Sequence, residues 1–495
     1  MNQVSFSSGP RSTERLICLA LALAVGLAYA YAPWCGFLNL DDAPYVVLNA
    51  HIQHGTLFER VVWAFTAFYS SNWHPLTWLS HGLDVALFGL DPAGHHLTNV
   101  LFHAANTLVL FLMLARLTGS LWRSAAVAAL FGLHPLQVES VVWVASRKGL
   151  LSALFGFLAL WAYGAYARRP SWRAYVLVLA LLALSLMSKQ AFVVFPFLAL
   201  LLDFWPLDRT SAAQPPGRGV AVLLLEKAPM LALAAAAAWI TVLAQRQSGA
   251  VAPLEAWGLG DRLAYGLAGY ANYLTKALYP IDLAVLYPLK RQLPIAAAVA
   301  GGALLTAGSL AAWRFRRTAP WLLTGWLWFV GALVPVIGIV QIGKQATADR
   351  YMYLPLVGLA IIVCWGMPTL LRRVPWAARG LQVATLCLLV ALAFSTHSQT
   401  RLWRDGPTLF GHAIAVTTDN TFMEFNLALV LYERGNYTDA ERHFREALRI
   451  HPGFLSAHVW LAFTQFADKR YADVVTTCNA ALDRSLNIFP PRFCV

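Results

Sequence analysis

Apolar runs of about 17–25 residues recur through the first four hundred positions of this 495-residue chain, separated by short polar breaks. They fall near 15–33, 97–115, 122–143, 149–167, 172–188, 190–206, 220–244, 294–313, 319–340, 352–371 and 379–397. About 20 apolar residues in a helix cross a hydrocarbon layer, so each run predicts a transmembrane helix. About eleven spans, an odd number, put the two termini on opposite sides. The first run follows Arg11 and Arg15 as a signal peptide's would, but Pro33 and Trp34 replace a small-residue cleavage site, so it reads as a retained span. Two segments break the pattern. Residues 34–96, rich in aromatics such as Trp63, Trp73 and Trp78, and 245–293, with its stretch Asp261 to Tyr287, are amphipathic and predict helices lying along the membrane face.

From about 406 the pattern becomes that of soluble helix. Residues 421–454 fit a 34-residue tetratricopeptide repeat through Leu427, Ala428, Gly435, Tyr437, Ala440, Phe444, Ala447 and Pro452. One period later come Leu461, Ala462, Tyr471, Ala481 and Leu482, with Lys469 where glycine is usual. Phe410 and Ala413 fit the second helix of an incomplete earlier repeat. Small and large residues alternating at this period let helix pairs stack into an array that binds peptides or protein surfaces, or simply caps the fold. The reading is thus all-α and polytopic: a membrane domain over 1–400 and tetratricopeptide repeats over 406–488.

Composition agrees. The chain is 59% hydrophobic and 12% charged, against about 25% charged for soluble domains, which excludes an ordinary water-soluble enzyme. The net charge of +13 resembles a nucleic-acid footprint, but the arginines sit in short loops between apolar runs, where charge sets topology. Arg116, Arg123, Arg168, Arg169, Arg173, Arg209, Arg218, Arg314, Arg316, Arg317, Arg372, Arg373 and Arg379 fall in loops that are inside when the N-terminus is inside. That orientation leaves the repeats outside. Six scattered cysteines form no CxxC pair, which excludes zinc ribbons and redox motifs. Cys478 and Cys494 would face an oxidising compartment, though no spacing rule requires them to pair.

On this topology the unusual polar residues gather on the outer face. They are Asp41 and Asp42 in FLNLDDAPY, Glu139, Arg147 and Lys148 in HPLQVESVVWVASRKG, Lys189 in LMSKQ, and Asp349 and Arg350 in QATADRYMYLP. Ionisable groups at a membrane boundary are costly, so clustering there points to function. A transfer reaction on a lipid-borne phosphate fits: a carboxylate as base for an incoming hydroxyl, cations for the leaving phosphate, apolar spans for a polyprenyl tail. Each residue has a plainer reading too. The acidic pair suits a solvated turn, Arg147 and Lys148 interfacial anchors, Lys189 snorkelling, and Asp349-Arg350 a local ion pair. His74, His81, His95, His96 and His103 lack metal-ligand spacing and read as structural, and the sequon Asn436-Tyr437-Thr438 falls in a repeat turn.

These stretches resemble a known family. LNLDDAPYV at 38–46, NWHPLTWLSHGLDVALFGLDPAGHHLTNVLFHAANT at 72–107, LFGLHPLQVESVVWVASRKGLLS at 130–152, LMSKQ at 186–190, ATADRYMYLPLVG at 346–358 and TRLWRDGPTLFGHA at 400–413 are similar, in order, to the transmembrane and tetratricopeptide-repeat O-mannosyltransferases, and more closely to their bacterial relatives. The resemblance implies a GT-C type glycosyltransferase, inverting, with a polyprenyl-phosphate-linked sugar as donor and its site on the lumenal or periplasmic face. It places catalysis on Asp41, as base, and Asp42. It sets Arg147, Lys189 and Arg350 toward the donor phosphate or sugar, with Lys148, Asp349, Glu139 and His74 completing the substrate-binding residues. One departure stands out: relatives carry Asp soon after the Arg of the third motif, where this chain has Gly149.

The expectation is therefore a multi-pass enzyme of a cytoplasmic membrane, its repeats periplasmic and able to present protein acceptors, that glycosylates Ser or Thr of exported proteins. No bound metal is expected, because the basic residues supply the positive charge; dependence on a divalent metal stays open. The rival readings are a glycosyltransferase acting on lipid or envelope polysaccharide, and a non-enzymatic scaffold for envelope assembly. A transporter fits poorly, since the charges sit at one face and no matching broken spans appear.

Overall fold

The computed structural model describes residues 11–210, 220–247, 258–289, 292–339, 345–371, 374 and 377–488. Arg218, Arg372, Arg373 and Cys494 lie outside the described residues. The chain opens with α1 (Arg11–Ala28), then runs through three short helices, α2 (Ala50–Gln53), α3 (Leu57–Thr66) and α4 (Pro75–Phe88). These resolve the aromatic outer segment. The membrane domain continues with α5 (Pro92–Thr118), α6 (Leu121–Leu133), α7 (Val138–Val142), α8 (Arg147–Arg168), α9 (Trp172–Ser188), α10 (Phe195–Phe204), α11 (Val220–Glu226) and α12 (Ala228–Gln247). After the amphipathic α13 (Leu259–Leu278) come α14 (Ile295–Arg314), α15 (Pro320–Leu333), α16 (Pro355–Leu370) and α17 (Ala377–Leu402). The repeats are α18 (Gly406–Val416), α19 (Thr421–Glu433), α20 (Tyr437–Ile450), α21 (Leu455–Ala467) and α22 (Tyr471–Ile488).

Among the described residues, six helical stretches are long and apolar enough to cross a membrane: Ser12–Trp34, Pro92–Thr118, Val144–Arg168, Ala228–Arg246, Ile295–Arg314 and Ala378–Leu402. A seventh is α6 with α7, bent by 55°, where Pro135 removes an amide donor and breaks the helix. Four shorter apolar helices, Trp172–Ser188, Gln190–Phe204, Pro320–Val336 and Pro355–Leu370, occupy the remaining positions at which the sequence predicts spans. The protein is a polytopic helical membrane protein. Length alone counts six or seven spans among the described residues rather than eleven, because these four helices stop short of 18 residues.

Polar side chains pin the spans together where hydrophobic force is absent. His103 of α5 bonds the Tyr353 hydroxyl (2.8 Å) and the Gly132 carbonyl (3.1 Å), and Asn106 donates to the same hydroxyl (2.9 Å). Asn99 donates to the Val141 and Trp143 carbonyls (3.1 and 3.2 Å), tying α5 to the turn before α8. Helices α15 and α16 cross so closely that a Cβ on Gly358 would lie 2.3 Å from the Gly325 carbonyl oxygen. Only glycine allows that approach.

The repeats dock on the membrane domain through a shared apolar core that includes Phe410, Ala413 and Met423, and through polar bonds to one loop. His412 of α18 bonds the Leu283 carbonyl (3.1 Å), which also accepts from Gln399 of the membrane helix α17 (3.2 Å), and Asn420, before α19, donates to the Leu286 carbonyl (3.0 Å). The same loop ends in β1 (Tyr287–Pro288), which pairs antiparallel with β2 (Gln345–Thr347). That two-stranded clasp brings the 280s against Asp349.

Candidate active site

The link between α1 and α2 carries the acidic pair, and its two carboxylates have different surroundings. Asp42 is fully buried. Its Oδ2 accepts the Leu38 amide (3.0 Å) and its Oδ1 the Ala145 amide (2.8 Å), stapling this loop to the turn that launches α8. Burial, partly opposed by those donors, pushes its carboxyl up to about 7. Asp41 stays 47% exposed and meets the Lys148 ammonium at 3.4 Å. Lys148 also donates to the Tyr45 hydroxyl (2.9 Å), which accepts from Asn72 Nδ2 (3.2 Å). Asn72 reaches there from a turn in which Ser70 and Ser71 both take left-handed backbone (φ 48° and 63°). Two non-glycine residues held so cost roughly 1–2 kcal/mol each, strain that the surrounding packing sustains.

The next residues along that turn hold the second cation. The His74 ring bonds Gln190 Oε1 (3.1 Å), Gln190 Nε2 donates to the Trp73 carbonyl (3.3 Å), and Thr77 donates to the Ser188 carbonyl (2.9 Å). Lys189 lies between these anchors, at the end of α9. Among the described residues its ammonium has no hydrogen-bond or ion-pair partner. Burial and the charges of Lys148 and Arg350 bring it down to about 7, against the opposing pull of Glu139 and Asp41. Five charges therefore converge: Asp41, Glu139, Lys148, Lys189 and Arg350.

Arg350 is gripped by Glu139, which accepts both its backbone amide (2.8 Å) and its guanidinium. The guanidinium stacks on Trp143 and Tyr351, 5.2 Å from each ring centre. Asp349 turns the other way. It accepts from Lys276 of α13 (3.2 Å) and from the Tyr287 hydroxyl (2.9 Å), and burial raises its carboxyl to about 6 against the pull of Lys276.

Eight of the nine candidates thus lie around one open face or directly behind it, and one does not. Arg147 is fully buried among α4, α5 and α8. It pairs with Asp84 (2.5 Å) and donates to Asn99 (2.8 Å), the Ser80 carbonyl (3.3 Å) and the His95 carbonyl (2.8 Å). With its donors taken by protein, this arginine braces the helices. His74, bonded to the Gln190 side chain, and Asp42, bonded to two backbone amides, likewise hold neighbouring segments in place, while Asp349 belongs to a separate pair. Sequence reasoning did not single out Tyr45, Asn72, Lys276, Tyr287 or Trp143. Lys276 had a signal, a lone cation toward the end of an amphipathic helix. Among the described residues no three His, Cys, Asp or Glu side chains come together in a set able to hold a metal ion.

Chemically, the face offers one solvent-reachable carboxylate beside an ammonium, and one ammonium that no carboxylate neutralises. The first suits proton abstraction and the second an anion.

Comparison with known proteins adds to this geometry. A family model described as tetratricopeptide repeat matches residues 431–487. Protein O-mannosyl-transferase TMTC1 of Homo sapiens is 24% identical over 435 residues, covering 78% of this chain and 49% of the relative. Protein O-mannosyl-transferase TMTC3 of Mus musculus is 23% identical over 479 residues, covering 88% and 51%. The chain spans about half the length of these curated relatives. The resemblance carried by the six ordered motifs therefore holds over most of the chain. Among solved structures, a crystal structure of ArnT from Cupriavidus metallidurans bound to undecaprenyl phosphate is 16% identical, with a TM-score of 0.36 over 89% of this chain and 76% of that one.

Proposed function

We propose that this protein is an inverting glycosyltransferase, moving a sugar from a polyprenyl-phosphate donor to a hydroxyl of Ser or Thr in exported proteins. The observation that carries the reading is the half-exposed Asp41 carboxylate, 3.4 Å from Lys148, on the same face as the unpaired Lys189 ammonium.

In this reading Asp41 takes the acceptor hydroxyl's proton as its oxygen attacks the anomeric carbon. The bond from that carbon to the phosphate oxygen breaks, and its electron pair leaves with the polyprenyl phosphate. Lys189, Lys148 and Arg350 stabilise the charge that develops there. One base and one displacement invert the anomeric centre. Asp42 is a positioning residue: its two backbone bonds fix Asp41 relative to the start of α8. The activity for which the relatives are named, O-mannosyl transfer, supports the reaction class, and the repeats supply a surface for protein acceptors. All eleven apolar helices cross the membrane, leaving the N-terminus cytoplasmic and the site and repeats periplasmic.

Mass comparison of exported proteins from cells carrying the wild type, Asp41→Asn or a deletion tests this. Loss of a hexose-sized adduct from Ser or Thr in both altered strains is expected, Asp41→Asn lowering transfer about 10²–10⁴-fold. A deletion that removes the adduct while Asp41→Asn keeps it would remove Asp41 from the base role. No protein mass change in either strain would sink the protein acceptor in favour of a lipid or polysaccharide.

A further inference from the structure

The stretch TRLWRDGPTLFGHA at 400–413 supplies none of the charges gathered at the open face, yet three of its contacts lead there. It spans the end of α17, the turn that follows and most of α18, the first helix of the repeats. In that turn the Arg404 carbonyl accepts the Gly36 amide (2.9 Å), at the root of the loop that carries Asp41 and Asp42. The Trp403 ring packs against Trp143, 6.4 Å between centres, and Trp143 in turn underlies the Arg350 guanidinium. On α18, His412 Nε2 bonds the Leu283 carbonyl (3.1 Å), and because a carbonyl only accepts, that nitrogen carries the proton. The amide of the same peptide unit, Ala284 N–H, donates to the Tyr287 hydroxyl (2.7 Å), which donates to Asp349 (2.9 Å), the residue before Arg350. One chain of hydrogen bonds thus joins the repeats to the Arg350 turn, and bonds in series strengthen one another.

We infer that this stretch is a positioning element of the site: Trp403, the Arg404 carbonyl and His412 fix Asp41 and Arg350 relative to one another. The start of the repeats then belongs to the catalytic framework, whatever acceptor the array presents. The positioning stands on the contacts alone, and its consequence for transfer rests on the glycosyltransferase reading above. A direct displacement needs the base and the cations of the leaving group to flank one anomeric carbon, and a misplacement of about 1 Å costs on the order of 10²-fold. The array stays seated when one polar bond is removed, because Phe410, Ala413 and Met423 share the apolar core of the membrane domain.

The test reads hydrogen exchange in full-length protein held in lipid nanodiscs, with transfer followed in parallel as the hexose-sized adduct on exported proteins. His412→Leu removes the donor, and His412→Gln keeps one at similar reach. In His412→Leu the segment 345–353, at the far end of the chain of bonds, is expected to exchange several-fold faster while α20 to α22 stay protected as in wild type. His412→Gln should restore most of that protection. Transfer should fall roughly tenfold in His412→Leu and recover in His412→Gln. Overproducing the exported acceptor should not repair the loss, since a displaced site lowers kcat whereas a lost recruiting surface raises KM. Wild-type exchange over 345–353 in His412→Leu, or a loss of transfer that added acceptor repairs, would overturn the positioning role. Trp403→Leu tests the other two contacts: exchange over 36–46 and 345–353 should rise together, and no change in either would overturn it as well. If wild type itself places no adduct on protein, the Ser/Thr reading fails, and the exchange results alone decide the positioning.

Discussion

Asp41 and Asp42 are neighbours in sequence and opposites in environment, and that contrast fixes what substitution should do. At Asp42 an amide would face one of two backbone N–H groups with its own NH₂, leaving a buried donor without an acceptor. Asp42→Asn is therefore expected to lower stability by about 1–3 kcal/mol. Its pH dependence has a sign. The carboxyl is raised from 3.8 to about 7, so the folded protein holds the proton after the unfolded chain has released it. Asp42's contribution is full below about pH 4, falls as pH rises toward 7, and is flat above. The Tm gap between wild type and Asp42→Asn should narrow across that window; a gap widening with pH would contradict the assignment. Asp41→Asn, half-exposed, should leave Tm unchanged. The motif FLNLDDAPY marked both residues as candidates because acids are rare beside an apolar run, yet spacing could not say which one is buried. Arg147 and Lys148 posed the same problem. Consecutive positions on a helix start point about 100° apart, and only tertiary packing decides that one meets Asp84 and the other Asp41.

Elements were legible in proportion to how local their causes are. Apolar runs and the tetratricopeptide spacing reappear as helices, since both are short-range patterns: α19 and α20 carry the first full repeat, with Ala428, Ala440, Phe444 and Ala447 buried. Phe410 and Ala413 are buried in α18, where the incomplete repeat was expected. What pairing over distance creates was not legible. The β1–β2 clasp brings Tyr287 to Asp349, and the repeats grip the loop at Leu283 and Leu286, contacts between segments over 60 residues apart. The departure at Lys469 has a structural consequence. Gly435, between α19 and α20, has φ 76°, and Lys469, between α21 and α22, is held in the same left-handed region at φ 59°. A side chain there costs about 1–2 kcal/mol. Lys469→Gly should recover part of that, roughly 0.5–1 kcal/mol after the extra freedom glycine gives the unfolded chain. Hydrogen exchange across α21 and α22 checks it: protection should rise in the variant, and equal or lower protection would mean the turn carries no strain.

Two clusters of charge lie at opposite ends of the membrane helices. At one end Asp41, Lys148, Lys189, Arg350 and Lys276 gather with the loop that the repeats grip. At the other, Glu14 pairs with Arg116 (2.7 Å), Arg168 donates to the Arg116 carbonyl (2.8 Å), and Asp203, Glu226, Arg209 and Lys227 close a network around the Tyr163 hydroxyl. That second cluster is self-neutralising, and it bolts α8, α10 and α11 together. Helix ends alternate between the two poles along the chain: α1, α9 and α17 finish at the first, α5, α8 and α10 at the second. In the proposed topology the four shorter apolar helices traverse the same thickness as the long ones, giving eleven crossings where length alone gives six or seven among the described residues. The proposed orientation puts the arginine-rich turns at 116–123 and 168–173 inside, as the positive-inside rule favours, and Asp41 and the repeats outside. Single cysteines in a chain cleared of its native ones read this directly. A membrane-impermeant maleimide added to intact cells should label Gly435→Cys in the repeats and spare Ser120→Cys between α5 and α6 until the cells are lysed. Equal labelling of the two before lysis would break the alternation. Labelling of Ser120→Cys alone would invert the molecule, put Asp41 in the cytoplasm, and with it remove exported proteins from the acceptors this site could reach.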